Sequence, residues 1–163
     1  REALEITRQV HGTAHPSYAT RLSNLASLLR DTGRFDEAEP MYREALEITR
    51  QVHGTAHPSY ATRLSNLAGL LRDTGRFDEA EPLFREALEI DRQVHGTAHP
   101  DYAIDLNNLA GLLRDTGRFD EAEPLLREAV QIWETSLGPD HPNTQTGREN
   151  LAILLAEKSD QKL

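Results

Sequence analysis

Along residues 16–32 the apolar side chains Tyr18, Leu22, Leu25, Ala26 and Leu29 recur at intervals of three and four, with Thr20, Ser23, Asn24, Ser27 and Arg30 between them. That is the spacing of one face of an α-helix. Pro16 suits its first position, because its φ is already helical and its missing N–H has no use there. Gly33 supplies the left-handed residue that stops a helix. A second pattern runs over 35–53, where Ala38, Tyr42, Ala45, Leu46, Ile48 and Val52 form the apolar side and Gly54 closes it. Asp36-Glu37-Ala38-Glu39 has the form of a capping box at its start, with acids where the helix dipole favours them. Pro40 lies beyond the first turn and should cost one backbone hydrogen bond. Together the two patterns read as a helical hairpin, joined to the next by Gly54-Thr55-Ala56-His57-Pro58.

The hairpin repeats. Arg-Glu-Ala begins at residues 1, 43, 85 and 127, a period of 42. Residues 1–42 and 43–84 differ only at Ser27/Gly69, Met41/Leu83 and Tyr42/Phe84, and residues 85–126 differ from the second copy at six places. The pattern predicts helices over 1–11, 16–32, 35–53, 58–74, 77–95, 100–116, 119–137 and 142–157. It divides a single array into a second-helix half repeat (1–15), repeats at 16–57, 58–99 and 100–141, and a capping helix with tail (142–163). The chain opens in mid-repeat, which reads as a piece of a longer array. No segment alternates like a strand, so a propeller of similar period is excluded and the fold class is all-α. One short hairpin cannot bury both of its faces, so stability must be shared between stacked neighbours.

Leu22, Leu25, Ala26, Leu29, Ala38, Tyr42 and Ala45 resemble the signature of the tetratricopeptide repeat, and the match recurs at Leu64 to Ala87 and Leu106 to Ala129. HEAT and armadillo repeats have a similar period but lack this Leu/Ala/Tyr spacing. The length, 42 residues against the usual 34, is similar to the kinesin light chain type of repeat, as are Leu137-Gly138-Pro139-Asp140-His141-Pro142 and Leu106-Asn107-Asn108-Leu109-Ala110. The resemblance implies a right-handed α-solenoid of stacked antiparallel hairpins, with first helices lining a concave groove. It places Thr20, Ser23, Asn24, Ser27 and Arg30 in that groove, with Thr62, Ser65, Asn66 and Arg72 and then Asn107, Asn108 and Arg114 as counterparts. Asn24, Asn66, Asn108 and Asn150 form a ladder. An amide offers two donors and an acceptor, suited either to gripping an extended peptide backbone or to fixing helix packing. The basic residues of a carboxylate clamp are missing beside these asparagines. Arg30, Arg72 and Arg114 make a row that could meet acidic ligand groups or pair with local acids. Gly69 and Gly111 open the groove floor, and Ile104 and Asp105 should make the third-repeat end more apolar and more acidic.

Composition narrows the function classes. The net charge of -9 argues against a nucleic-acid or anionic-membrane surface. No apolar run reaches the length of a membrane span, and no signal segment is visible. The absence of cysteine excludes disulfides and thiolate chemistry and fits a reducing, cytoplasmic setting. The pairs His11/His15, His53/His57 and His95/His99 have metal-like spacing, but Gly and Pro interrupt each pair and no carboxylate or thiolate is seen to join them. No metal or cofactor is expected; helix capping and linker packing are the default. Ser17 and Ser23 near His15 lack an acid to complete a triad, Asp36, Glu37 and Glu39 read as capping, and no phosphate loop occurs. No catalytic residue is expected. Trp133 should pack the terminal helix. The expected function is a scaffold that binds a protein or extended peptide in the groove. Alternatives are end-to-end self-assembly through terminal apolar residues (Leu4, Ile6, Leu151, Leu154), or a regulatory segment of a larger enzyme.

Overall fold

Each His-Pro pair of the chain starts a helix. The histidine takes the extended N-cap position and its Nδ1 accepts the backbone N–H two residues on, from Ser17, Ser59, Asp101 and Asn143 at 3.1–3.2 Å. The proline follows as the first helical residue. The computed structural model describes residues 15–161. Among these are seven helices and no strand: α1 (Pro16–Asp31), α2 (Phe35–His53), α3 (Pro58–Asp73), α4 (Phe77–His95), α5 (Pro100–Asp115), α6 (Phe119–Ser136) and α7 (Pro142–Asp160). The expected helix over 1–11 lies outside the described residues. None of the seven is long and apolar enough to cross a membrane.

The turn within a hairpin is a Schellman motif. Gly33 has φ 73°, its N–H bonds the carbonyl of Arg30 at 2.9 Å, and Arg34 N–H bonds that of Leu29 at 2.8 Å. Only glycine holds that backbone without strain. The expected capping box is absent. α2 begins at Phe35 with Arg34 as N-cap, and no side chain caps it. Asp36 and Glu37 fall inside the first turn, where they still meet the helix dipole, and Glu37 pairs with Arg34. Pro40 is inside α2, as its position implied.

The chain forms two compact units, Arg1–Ile90 and Asp91–Leu163. In the first, α1 and α2 close on Tyr18, Ala19, Leu22, Ala45 and Ile48, with Met41 at the edge. α3 and α4 close on Tyr60, Ala61, Leu64, Ala87 and Ile90. Leu46 of α2 reaches into that second cluster and ties the hairpins together. Ala26, Ala38, Ala45, Ala68, Ala80 and Ala87 are all 0% exposed, because any larger side chain would hold the helices apart. The second unit uses Ala103, Ala110, Ala122 and Ala129 in the same way around Leu106, Leu109, Leu113 and Leu126. Val52 departs from its expected place, since it lies in the last turn of α2 and is exposed.

Two of the three differences between the first and second copies fall on residues that touch each other. Ser27 Oγ lies 2.9 Å from Tyr42 Oη and donates to the Ser23 carbonyl at 3.0 Å, which leaves it to accept the Tyr42 O–H. The next copy has Gly69 and Phe84 at those positions, and neither carries a hydroxyl. In the second unit Trp133 is 3% exposed, donates Nε1–H to the Pro100 carbonyl at 3.1 Å and lies against Gly147 of α7, packing the last helix as expected.

A Cβ at Gly147 would stand 2.8 Å from Trp133 Cζ3. Helix propensity alone makes Gly147→Ala stabilising by about 1 kcal/mol, whereas overpacking costs about 1–3 kcal/mol. We expect a net loss of about 1 kcal/mol in denaturant unfolding, with a shifted tryptophan emission. A gain of the full propensity term would show that the ring is not closely seated.

Candidate functional site

First helices within each unit are zipped together by polar side chains. In the first unit Asn66 Nδ2 donates to Ser23 Oγ at 3.1 Å and Arg63 Nη2 donates to Thr20 Oγ1 at 3.0 Å. Arg30 Nε donates to Asp73 at 2.6 Å. In the second, Asn150 Nδ2 donates to Asn107 Oδ1 at 2.9 Å, and Arg114 reaches Glu157 at 3.8 Å. The asparagine ladder therefore fixes packing at Asn66 and Asn150. That leaves each of these amides a second N–H and its acceptor oxygen.

The sequence-predicted residues divide by exposure. Thr20, Asn24 and Thr62 are exposed, while Ser65, Asn66, Asn107, Asn108, Asn150, Arg30, Arg72 and Arg114 are half-buried. Ser23 does not face outward. It is 1% exposed, held between helices by its bond to Asn66. Thr20 and Thr62 also bond the carbonyls of Pro16 and Pro58 one turn back. Arg30 pairs with Asp73 of the next hairpin, and Arg114 pairs with the adjacent Asp115 at 3.2 Å. Burial works against the charge of Arg30, but Asp73 and the Tyr42 hydroxyl outweigh it and hold its pKa above the ordinary value.

Two expectations about the groove floor change. The space at Gly69 is taken by Arg30, whose Nη1 would lie 2.8 Å from an added Cβ, so it does not wait for a partner's side chain. Ile104 is exposed at 39%, as an apolar groove end requires, but Asp105 is 4% exposed and puts no charge on the surface. Arg63 is not among the residues that the repeat spacing marks as a site. Its Nε is buried without a hydrogen-bond partner, and burial lowers its pKa. Only the tertiary placement of Thr20 and Ser23 against α3 makes that legible.

Histidine pairs stack ring on ring, with centroids 4.4 Å apart in both His53/His57 and His95/His99. His11 of the first pair lies outside the described residues. Gly does interrupt each pair, with Pro directly after it, yet the linker folds back and brings the last turn of one helix to the N-cap of the next. At His95/His99 the carboxylate of Asp101 joins them, so the expectation that no carboxylate accompanies these pairs fails there; the signal was the change from Ser59 to Asp101.

The tetratricopeptide repeat family matches residues 1–51, 22–93 and 60–123, and a second form of that repeat matches residues 106–143. No curated protein matches the chain. Among solved structures it is similar to BtubC (BKLC) from P. vanneervenii, with a TM-score of 0.83 and 27% identity over 98% of this chain and 64% of BtubC. It is also similar to Podosopora anserina repeats described as kinesin light chain nearly identical TPR-like repeats, with a TM-score of 0.79 and 25% identity over 86% of this chain and 66% of that one. A point variant of the latter, 22% identical over 99% of this chain and 76% of its own, has a TM-score of 0.78 and bears on the fold alone. The chain thus spans just under two thirds of the length of the first two structures.

Ser23→Ala removes the partner of Asn66 without touching an exposed group. We expect a loss of about 0.5–1.5 kcal/mol in chemical denaturation, the net worth of one hydrogen bond. An unchanged midpoint would mean that the bond contributes nothing to the zip between α1 and α3.

Proposed function

The chain belongs to the tetratricopeptide repeat family, with kinesin light chain-like repeats, and from that premise we propose that it is a scaffold holding an extended peptide or protein segment along its first-helix face. Tetratricopeptide repeats generally mediate protein–protein interaction or assembly, and the fold is typically a non-catalytic scaffold.

One contrast carries this reading. The arginines on the second-helix side are matched locally: Arg34–Glu37, Arg43–Glu39, Arg50–Glu47, Arg76–Glu79, Arg85–Glu81, Arg118–Glu121 and Arg127–Glu123 all pair within one turn at 2.7–2.8 Å. Charges paired in this way offer a partner little. Glu47 shows the effect, its pKa lowered to about 2 by hydrogen bonds from Arg50 and Gln51. First helices instead present amides and hydroxyls that are only partly used, with Thr20, Asn24 and Thr62 exposed. An extended backbone needs a donor or acceptor at each step, and such groups supply about 0.5–1.5 kcal/mol per bond made. Ile104 adds an apolar contact in the second unit.

The test begins with a peptide selected for binding from an extended-peptide library. Asn24→Ala and Asn108→Ala should each lower its affinity about three- to tenfold, while Ser23→Ala leaves affinity within about twofold despite its lower stability. Unchanged affinity in both asparagine variants would sink the first-helix reading.

A second reading, end-to-end association of copies, has its own support. Leu67, Ala68 and Leu71 of α3 are buried at 1% or less, but their counterparts Leu151, Ala152 and Leu155 in α7 are half-buried or exposed, with no second helix after α7 among the described residues. Leu28 is 59% exposed where Leu70 and Leu112 are 0%. Leu154 does not belong to this surface, being 0% exposed, and Leu4 and Ile6 lie outside the described residues. Association through these faces should appear as scattering mass that rises with concentration and is abolished by Ala152→Glu. A strict monomer at high concentration would exclude it.

A further inference from the structure

Of the six substitutions that separate residues 85–126 from 43–84, three bring in a carboxylate: Asp91 for Thr49, Asp101 for Ser59 and Asp105 for Arg63. They are spread along the sequence but meet at one joint, between the last turn of α4 and the first turns of α5. His95 and His99 are at the same joint, their rings 4.4 Å apart and inclined by 18°. Ligand atoms of His95, His99 and Asp101 all lie within 4.8 Å of one another.

Beneath them the polar groups are buried. Asp91 is 7% exposed and Asp105 4%. Asp91 shares a hydrogen bond with Asp105 through its carboxyl, yet its Oδ1 is buried without a hydrogen-bond partner, as is Nε2 of His95. Burial raises the pKa of Asp91, opposed by His95 and by the bond to Asp105, while Asp101 adds to the rise and His99 offsets it. A dication held by the histidines would offset the charge of the buried carboxyl groups beneath them, in a place where an unpaired charge is costly.

We propose that His95, His99 and Asp101 form a binding site for a transition-metal dication of the zinc type, with the buried carboxylate of Asp91 behind His95 completing its charge. Imidazole nitrogens with a carboxylate select such ions over magnesium or calcium, which prefer oxygen alone. The site is reached from solvent on the side of His99 and Asp101, whose side chains are 41% and 54% exposed. His99 gives something up. Its Nδ1 accepts the N–H of Asp101 at 3.2 Å, and a neutral imidazole has one lone pair, so the ion and the helix cap compete for it. The bound ion then replaces the cap as the link that pins the last turn of α4 to the start of α5.

The chain carries its own control. His53 and His57 stack at the same 4.4 Å, but Ser59 and Thr49 stand where the acids would be, and the Thr49 hydroxyl donates to the Ala45 carbonyl at 2.7 Å. Asp101→Ser and Asp91→Thr therefore restore residues that the preceding repeat already folds with.

The experiment is a calorimetric titration of the tag-free, chelator-treated full chain with zinc chloride, repeated with excess magnesium. The wild type should take up one ion per chain at this joint, gain a higher Tm from it and keep it in magnesium. His95→Gln and Asp101→Ser should each weaken zinc binding at least about tenfold and lose the Tm gain, with Asp91→Thr weaker by a smaller factor. His53→Gln should change none of this. The site is overturned if the wild type shows no saturable uptake, if His95→Gln and Asp101→Ser bind zinc as the wild type does, or if His53→Gln costs as much as His95→Gln.

Discussion

Every hairpin here is apolar on two sides and can cover only one of them itself. Tyr18, Leu22 and Ala45 settle the inside of the first hairpin, but Leu46 finds its partners only in the cluster around Tyr60 and Leu64 of the next. Burying one leucine is worth about 1.5–3 kcal/mol, so the interface between hairpins matters to stability as much as either hairpin does. Where no described neighbour covers them the cost is visible: Leu28, Leu151, Ala152 and Leu155 are open at positions that elsewhere are closed. The alanines at 0% exposure serve the same constraint, setting the distance at which helices can meet.

That interface also explains how near-identical copies diverge. Changes occur in pairs that touch. Ser27 and Tyr42 exchange a hydrogen bond, and the following copy lacks both hydroxyls together. In the second unit two repeat positions meet twice, as Asp91 with Asp105 and as Trp133 with Gly147, where Thr49 and Arg63 are the counterparts in the first. A tryptophan needs a glycine opposite because no Cβ fits beneath its ring. One geometrical slot thus takes three different chemistries without disturbing the leucine and alanine frame around it.

Much of the candidate site was legible in the chain, but its meaning was not. Asn24, Asn66, Asn108 and Asn150 stand out by period alone. Their division into exposed and half-buried members, and the commitment of Asn66 to Ser23, depend on how far α3 is displaced along α1, which no periodicity specifies. The same displacement puts Arg30 over Gly69 and beside Asp73, turning an apparent opening into an ion pair. Asp105 reads as surface charge on a helical wheel but lies inside, where α5 packs against the buried Asp91 of α4.

Sequence by itself determined the helices, their order and the hairpin repeat, since apolar spacing, a His-Pro start and a Gly stop are local signals that act within one or two turns. It also determined the family, through a pattern of leucine, alanine and tyrosine that any stacked copy must keep to fill the same space. Tertiary structure decided which polar residues remain outside, which histidines gain a carboxylate, and which glycines make room for a neighbour. Those outcomes depend on contacts between residues some 14 to 43 positions apart, such as Asp91 with Asp105 and Arg30 with Asp73. The spacing of residues along one helix carries no information about where a neighbouring helix will lie against it.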